Sequence, residues 1–335
     1  MNDQAGPFTS PSYNDIVAAG KRLSAIAVRT PLLESAALNK SVGGRILLKA
    51  ETLQHTGSFK FRGGYNFVSQ LDQAQRRRGV VAYSSGNHAQ GVAAAASLLG
   101  APATIVMPSD APSVKLDNTR ALGAKVVIYD RNSEPREEIA ARLAAESGAT
   151  LVPPYDHPWT IAGQGTVGLE IATQAAERGA PPDAVLVCCG GGGLCAGIAT
   201  VFAEVAPSTQ IHTVEPDGFD DTAQSLARGQ LVSNQPGGHS ICDALLAPMP
   251  GALTFSINER LVTGGLSVSD HEVRRAMVFA WQTLKLVVEP GGAVALAAVL
   301  SGALDCHDRI VAVVLSGANV DAALFNEILQ NSDAL

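Results

Sequence analysis

Charge is scarce in this sequence. Asp, Glu, Lys and Arg together make up 16% of its 335 residues, and the formal net charge is -7. The tightest basic cluster is Arg76, Arg77 and Arg78, at what reads as a helix end, where positive charge complements the helix dipole. A nucleic-acid partner, which needs a basic stripe or patch, is therefore not expected. Cysteine is also sparse. The five residues Cys188, Cys189, Cys195, Cys242 and Cys306 are odd in number and irregular in spacing, so a disulfide framework is excluded. There is no CxxC pair and no HExxH element to hold zinc. Cys188 and Cys189 lie in an apolar run and read as small buried thiols. No apolar run reaches the length of a membrane span, and residues 1–13 carry no basic segment followed by an apolar one. No membrane partner and no signal peptide are expected, and a reducing cytoplasm is the expected setting.

What the sequence does have is apolar content, 46% hydrophobic residues, arranged in a regular alternation. Short β-branched runs at 45–51, 80–84, 103–107, 125–129, 150–153, 184–189, 210–214 and 309–315 read as strands. Helical patterns at 90–99, 113–122, 135–146, 162–175, 194–205 and 270–284 fall between or after them. Gly100, Gly123 and Gly148 stand just past three of these helices, where C-terminal glycines belong. The expected fold class is α/β, with open, mostly parallel twisted sheets. Ligands of such sheets bind at the carboxyl ends of the strands, and there the unusual glycine and polar residues collect.

Four such segments carry the chemistry. In Thr56-Gly57-Ser58-Phe59-Lys60-Phe61-Arg62-Gly63-Gly64 a lysine sits between two phenylalanines. Desolvation lowers a lysine's pKa and frees the amine to attack a carbonyl carbon. The plainer reading is a lysine snorkelling from an amphipathic helix. Ser84-Ser85-Gly86-Asn87-His88-Ala89-Gln90-Gly91 follows a strand and opens a helix, so it reads either as an anion site or as an ordinary helix cap. Gly190-Gly191-Gly192-Gly193-Leu194 lets the backbone wrap a phosphate. The overlapping Gly191-Gly192-Gly193-Leu194-Cys195-Ala196 also fits G-x-G-x-x-A, with Glu215 at about the ribose-binding distance, which opens an NAD-dependent oxidoreductase as a rival. Leu315-Ser316-Gly317-Ala318-Asn319 ends the last strand and presents a hydroxyl there, or is a plain turn.

Taken in order, S-F-K-F-R-G, S-S-G-N-H-A-Q-G, G-G-G-G-L and L-S-G-A-N resemble the serine/threonine dehydratase family of fold type II, tryptophan-synthase-β-like enzymes, which includes serine racemase and 3-hydroxyaspartate dehydratases. The resemblance runs from Tyr13 to Leu324 and implies pyridoxal 5′-phosphate (PLP) as cofactor. By it, Lys60 is the Schiff-base lysine and Phe59 the aromatic beside the ring. Asn87 is the partner of the 3′-oxygen, Gly190, Gly191, Gly192, Gly193 and Leu194 cradle the phosphate, and Ser316 faces the pyridine nitrogen. Ser84, Ser85, Asn87 and His88 grip the substrate carboxylate, and Ser85 is also the opposite-face acid/base of the racemases. Glu215, the carbonyl of Phe219 and Asp221 match a divalent-cation site for Mg²⁺ or Ca²⁺, whose alternative is a solvated acidic turn. A large PLP-binding domain of residues 1–78 plus 155–335, a small mobile domain of 79–154 and a homodimer are implied.

The resemblance implies elimination of water from a small β-hydroxy amino acid, serine, threonine or 3-hydroxyaspartate, to give a 2-keto or imino acid and ammonia. The neutral hydroxyl of Ser316 disfavours a long-lived carbanion and so argues against transamination. Racemisation is the alternative, and a PLP-fold amino-acid sensor a further one. Arg136 aligns with an arginine placed to bind a side-chain carboxylate; its alternative is a helix-surface pair with Glu134 or Glu137. His239 and Asp243 stand as further pocket residues. Ala244 departs from the family's Asp-Gly at that point, which leaves the pocket's shape open. The chain ends without a C-terminal regulatory domain, from which a catabolic enzyme is expected.

Overall fold

The computed structural model describes residues 8–84, 86–111, 113–130 and 133–331, with Ser113 and Val114 described by their backbone alone. Ten strands form two sheets among these residues. The larger has the order β1-β2-β10-β7-β8-β9. Its strands are β1 (Leu32–Glu34), β2 (Arg45–Ala50), β7 (Ala184–Cys188), β8 (Gln210–Pro216), β9 (Gly264–Val268) and β10 (Ile310–Leu315). Every neighbour pair is parallel except β1 with β2. The smaller sheet has the order β5-β4-β3-β6 and is wholly parallel. It holds β3 (Val80–Tyr83), β4 (Ala103–Pro108), β5 (Lys125–Tyr129) and β6 (Thr150–Leu151).

The central strands read as unbroken apolar runs because helices cover both faces, so no face can be polar. In β7 and in Val311–Leu315 of β10 every residue is buried. The helix Pro290–Ser301 packs on β7, β8 and β10, and everything from Pro290 to Val299 is buried. Its sequence, PGGAVALAAVLS, accordingly has no polar face.

Three expectations shift. The helix expected over 270–284 is α-helical only over Asp270–Phe279. It widens into a π turn over Ala280–Leu284, closed by Lys285 at φ +59°. There the Trp281 ring meets Phe325 edge-on at 5.8 Å. Strands β1 and β9 went unread, the first because it has three residues, the second because Gly264 and Gly265 open it. Gly265 is required by packing: a Cβ there would lie 2.4 Å from the Ala223 Cβ. No described helix is long and apolar enough to cross a membrane.

Candidate active site

Strands β3, β7 and β10 deliver their carboxyl ends to one cavity of about 150 Å³, which the segment after β2 enters at Phe59. Phe59, Lys60, Asn87, Gly190–Gly193, Leu194 and Ser316 line it together, as do Ser84, His88 and Arg136. Ser85 lies outside the described residues.

Lys60 is the first residue of the helix Lys60–Ser69, and the segment before it is zipped to the end of β10. Ser58 bridges Gly317, the Phe59 N–H donates to the Ser316 carbonyl at 3.1 Å, and the Ala318 N–H donates to the Gly57 carbonyl at 2.9 Å. Two motifs far apart in sequence thus fix each other. The helix Asn87–Leu98 approaches closely because residue 91 is glycine: a Cβ there would meet the Lys60 carbonyl carbon at 2.9 Å. The Lys60 amine donates to the Pro154 carbonyl at 2.9 Å and stands 5.1 Å from the Phe59 ring centre. Desolvation lowers its pKa to about 8, although the nearby Glu289 pulls the other way.

Beneath Lys60 lies an ionic cluster that sequence reasoning did not single out. Arg62 is 1% exposed and places its Nε and Nη2 on the two oxygens of Glu51, each at 2.8 Å. Its Nη1 reaches Glu170 at 2.7 Å, and Lys49 binds the same Glu170 at 2.5 Å. The pattern K-F-R held the signal, but only the fold shows that Arg62 points inward.

Gly192 has φ +89° and caps the helix Gly193–Val205. The loop carbonyls turn toward the helix Ala252–Leu261: the Thr254 hydroxyl donates to Gly191 O at 2.7 Å and the Asn258 amide to Gly192 O at 3.3 Å. No acceptor among the described residues takes the N–H groups of 190–193. A Cβ on Gly191 would lie 2.3 Å from the Tyr155 ring, and one on Gly193 would lie 2.6 Å from the buried, unpartnered Gln164 Oε1. This is a cradle of free donors at a helix N-terminus that side chains would fill, and it fits a phosphate. With a desolvated amine and an aromatic ring opposite, the residues fit PLP.

Asn87 is held on both sides. Its amide NH₂ donates to Glu289, and its Oδ1 accepts from Asn319 Nδ2 at 2.7 Å. Ser316 is 4% exposed and lines the cavity near the thiol of Cys188. The Ser84 hydroxyl accepts the Gly86 N–H at 3.1 Å. His88 binds the Val152 carbonyl through Nε2 at 2.9 Å, and burial followed by the Lys60 charge lowers its pKa to about 3, so the ring is neutral.

At the mouth, Arg136 opens the helix Arg136–Ser147, pairs with Glu137 at 2.8 Å and stacks over Tyr83 at 5.5 Å, while also lining the cavity. The surface-pair and pocket readings are therefore not exclusive. Lys115, which drew no notice in sequence, lines the same wall and pairs with Asp243 at 2.7 Å. Ala244 faces the cavity beside Asp243.

Glu215 ends β8 with its carboxylate buried, accepting the N–H groups of Thr222 at 3.0 Å and Ala223 at 2.8 Å. It is bound to the helix Asp221–Arg228, which removes it from the ribose role considered above. Asp221 is buried, its Oδ1 accepts from Asn234 at 2.6 Å, and its Oδ2 has no partner. Burial pushes the Asp221 carboxyl up to about 7. This is not the solvated acidic turn of the alternative reading. No cluster of three or more His, Cys, Asp or Glu side chains suited to a metal occurs among the described residues.

Comparison with known proteins gives concordant results. The family described as pyridoxal-phosphate dependent enzyme matches residues 23–317. An L-threo-3-hydroxyaspartate ammonia-lyase of a Pseudomonas species is 43% identical over 319 residues, spanning 95% of this chain and 98% of that protein. A serine racemase of Schizosaccharomyces pombe is 39% identical over 319 residues, spanning 95% and 97%. A solved threonine deaminase, from the organism abbreviated T.th., superposes with a TM-score of 0.88 at 43% identity, covering 93% of this chain and 99% of that one.

Proposed function

The chain belongs to the pyridoxal-phosphate dependent enzyme family, and from that premise we propose that it is an ammonia-lyase that dehydrates a small β-hydroxy amino acid, 3-hydroxyaspartate before threonine or serine. The observation that carries the reading is the desolvated Lys60 amine facing the glycine cradle across one cavity. Gly190–Gly193 and Leu194 would hold the phosphate, Phe59 would lie against the ring, and Asn87 and Ser316 would serve its 3′-oxygen and its nitrogen. When bound, the cofactor supplies an electron-accepting ring that spreads the negative charge developing at Cα.

The neutral Lys60 amine takes the Cα proton, the Cα–Cβ double bond forms as the Cβ–O bond breaks, and the hydroxyl departs as water with a proton passed on from the Lys60 ammonium. The helix Asn87–Leu98 offers its first N–H groups to the substrate carboxylate, with Ser84 and His88 lining the same cavity, and Ser85 is assigned to the same task by the resemblance alone. The unit 79–154, which carries the smaller sheet, closes on the substrate and excludes water; Lys115–Asp243 ties it to the opposite wall. What leaves is the enamine, which tautomerises to the imine and takes up one water in solution to give the 2-keto acid and ammonia.

Because only the neutral amine captures the PLP aldehyde, the reconstitution rate of the apoprotein depends on the folded pKa of Lys60, about 8. Stopped-flow absorbance is expected to show a rate rising about tenfold per pH unit below that value and levelling above it. An ordinary lysine would keep climbing toward 10.5.

Arg136, with Lys115 beside it, provides positive charge for a second carboxylate. Arg136→Ala is expected to lower kcat/KM for 3-hydroxyaspartate at least about 30-fold, and that for serine much less. An equal loss on both substrates would leave Arg136 as a surface-pair residue.

Asp221 Oδ2, buried and without a partner among the described residues, supports a hard divalent cation, Mg²⁺ or Ca²⁺, just past β8, where the resemblance adds the Phe219 carbonyl and Glu215, whose carboxylate would have to give up the Thr222 or Ala223 N–H to serve as a ligand. Mg²⁺ at a hundredfold excess over its Kd is expected to stabilise the protein by about 2.7 kcal/mol. Asp221→Asn should abolish that gain in a thermal melt. A homodimer in the cytoplasm completes the proposal.

The S. pombe relative favours racemisation as a second reading. On that reading Ser85, by the resemblance alone, would serve as the second acid/base. Chiral chromatography after incubation with L-serine would reveal D-serine, and Ser85→Ala should remove it while leaving keto acid release.

A further inference from the structure

Glu289 is the one buried carboxyl lining the cavity among the described residues, and the mechanism above gives it no task. It stands at the N-cap of the helix Pro290–Ser301, where an acidic side chain would ordinarily turn back onto the helix's first N–H groups. It makes no such cap. Its carboxyl instead accepts the Asn87 amide from the other side of the cavity, 202 residues away in sequence. Among the described residues no salt bridge compensates it, although it is only 1% exposed, and the nearby Lys115 is paired with Asp243. Holding a carboxyl there costs free energy that an apolar residue would not.

The geometry around Asn87 shows what that arrangement achieves. An asparagine amide has two nearly isosteric orientations, which its partners must choose between. Here one partner can only accept in the ionised form and the other donates. Glu289 takes one N–H of Nδ2, and Asn319 Nδ2 donates to Oδ1 at 2.7 Å while also holding the Thr56 carbonyl at 2.8 Å. A flipped Asn87 would set its oxygen against the Glu289 oxygens and its NH₂ against that of Asn319. Gly317 makes the arrangement possible, since a Cβ there would lie 2.2 Å from Glu289 Oε1 and 3.2 Å from Asn87 Nδ2.

We propose that Glu289 is a positioning residue which, with Asn319, locks the Asn87 amide so that its second N–H is presented to the ring oxygen of PLP. The inference rests on the placement of the cofactor given above. Glu289 acts through Asn87 and need not touch the cofactor.

A double-mutant cycle on PLP affinity tests it, using apoprotein titrated with PLP and followed by visible absorbance. Glu289→Met fills the space without an acceptor and is expected to weaken PLP binding about tenfold in the wild-type background, within the range of coupled neighbours. In the Asn87→Ala background the same change should cost less than about twofold. Its visible absorption maximum should shift as that of Asn87→Ala does. Glu289→Gln keeps the acceptor and should restore affinity to within about threefold. Asn319→Ala removes the other half of the clamp and should show the same dependence on Asn87, which keeps the test intact if Glu289→Met does not fold. Equal losses in both backgrounds, or a Gln variant as weak as the Met variant, would overturn the inference while leaving the PLP assignment standing. A wild-type protein that takes up no PLP would overturn both.

Discussion

Lys60→Ala is expected to lower turnover more than about 10³-fold, because it removes the covalent attachment point and the base in one change. The helix that begins at residue 60 is held by Ser58–Gly317, by the Phe59 N–H and by the close contact with Gly91, none of which uses the Lys60 side chain. The fold should therefore survive the substitution. Removing an amine that burial disfavours as a cation offsets the loss of its hydrogen bond to the Pro154 carbonyl. The linkage has a definite sign. The folded pKa, about 8, lies below the unfolded one, so the unfolded chain binds the extra proton between the two. This group's contribution to stability therefore rises with pH from about 8 to the ordinary lysine value of 10.5, and the rise should vanish in Lys60→Ala. Steady-state turnover and a pH series of thermal melts check both parts. A variant with activity within tenfold of wild type would remove Lys60 from the chemistry.

The second large effect concerns stability. Arg62→Met is expected to destabilise the protein by about 3–5 kcal/mol, because it strands the fully buried Glu51 carboxylate and takes from Glu170 one of its two cations. Glu51 is 0% exposed and would keep only the Thr30 hydroxyl at 2.6 Å and no cation in direct contact. Lys49 would be left to neutralise Glu170 alone. Converting the buried pair together, Arg62→Met with Glu51→Gln, should recover much of the loss, since Glu170 keeps Lys49 and no unpaired charge remains. Urea denaturation of the three proteins measures this. A single Arg62→Met that melts like wild type would show that the cluster is not needed to seat the lysine helix.

Much of this architecture is legible in sequence. The central strands are visible because both faces are buried and the runs are long enough to stand out, as in AVLVC and IVAVVL. Lys60 and the glycine cradle are visible because their local sequences are costly to explain otherwise. Glu289, Lys115 and Arg62 are not visible, because each is ordinary in its own segment. Glu289 precedes a proline at a helix start, Lys115 sits in a helix, and Arg62 lies two residues past a lysine. Their roles arise only where the chain brings them against Asn87, Asp243 and Glu51, contacts 202, 128 and 11 residues apart. The ribose role for Glu215 fails for the same reason: the spacing fits, but the side chain is spent on the Thr222 and Ala223 N–H groups. The short β1 and the glycine-led β9 escape because neither has a period long enough to read.

The most direct test of the account is 2-keto acid release by the purified, PLP-loaded protein. L-serine, D-serine, L-threonine and the stereoisomers of 3-hydroxyaspartate would be offered at equal concentration, with and without Mg²⁺. The account predicts keto acid and ammonia in equal amounts, fastest from a 3-hydroxyaspartate. Absence of keto acid from every one of these substrates would contradict it.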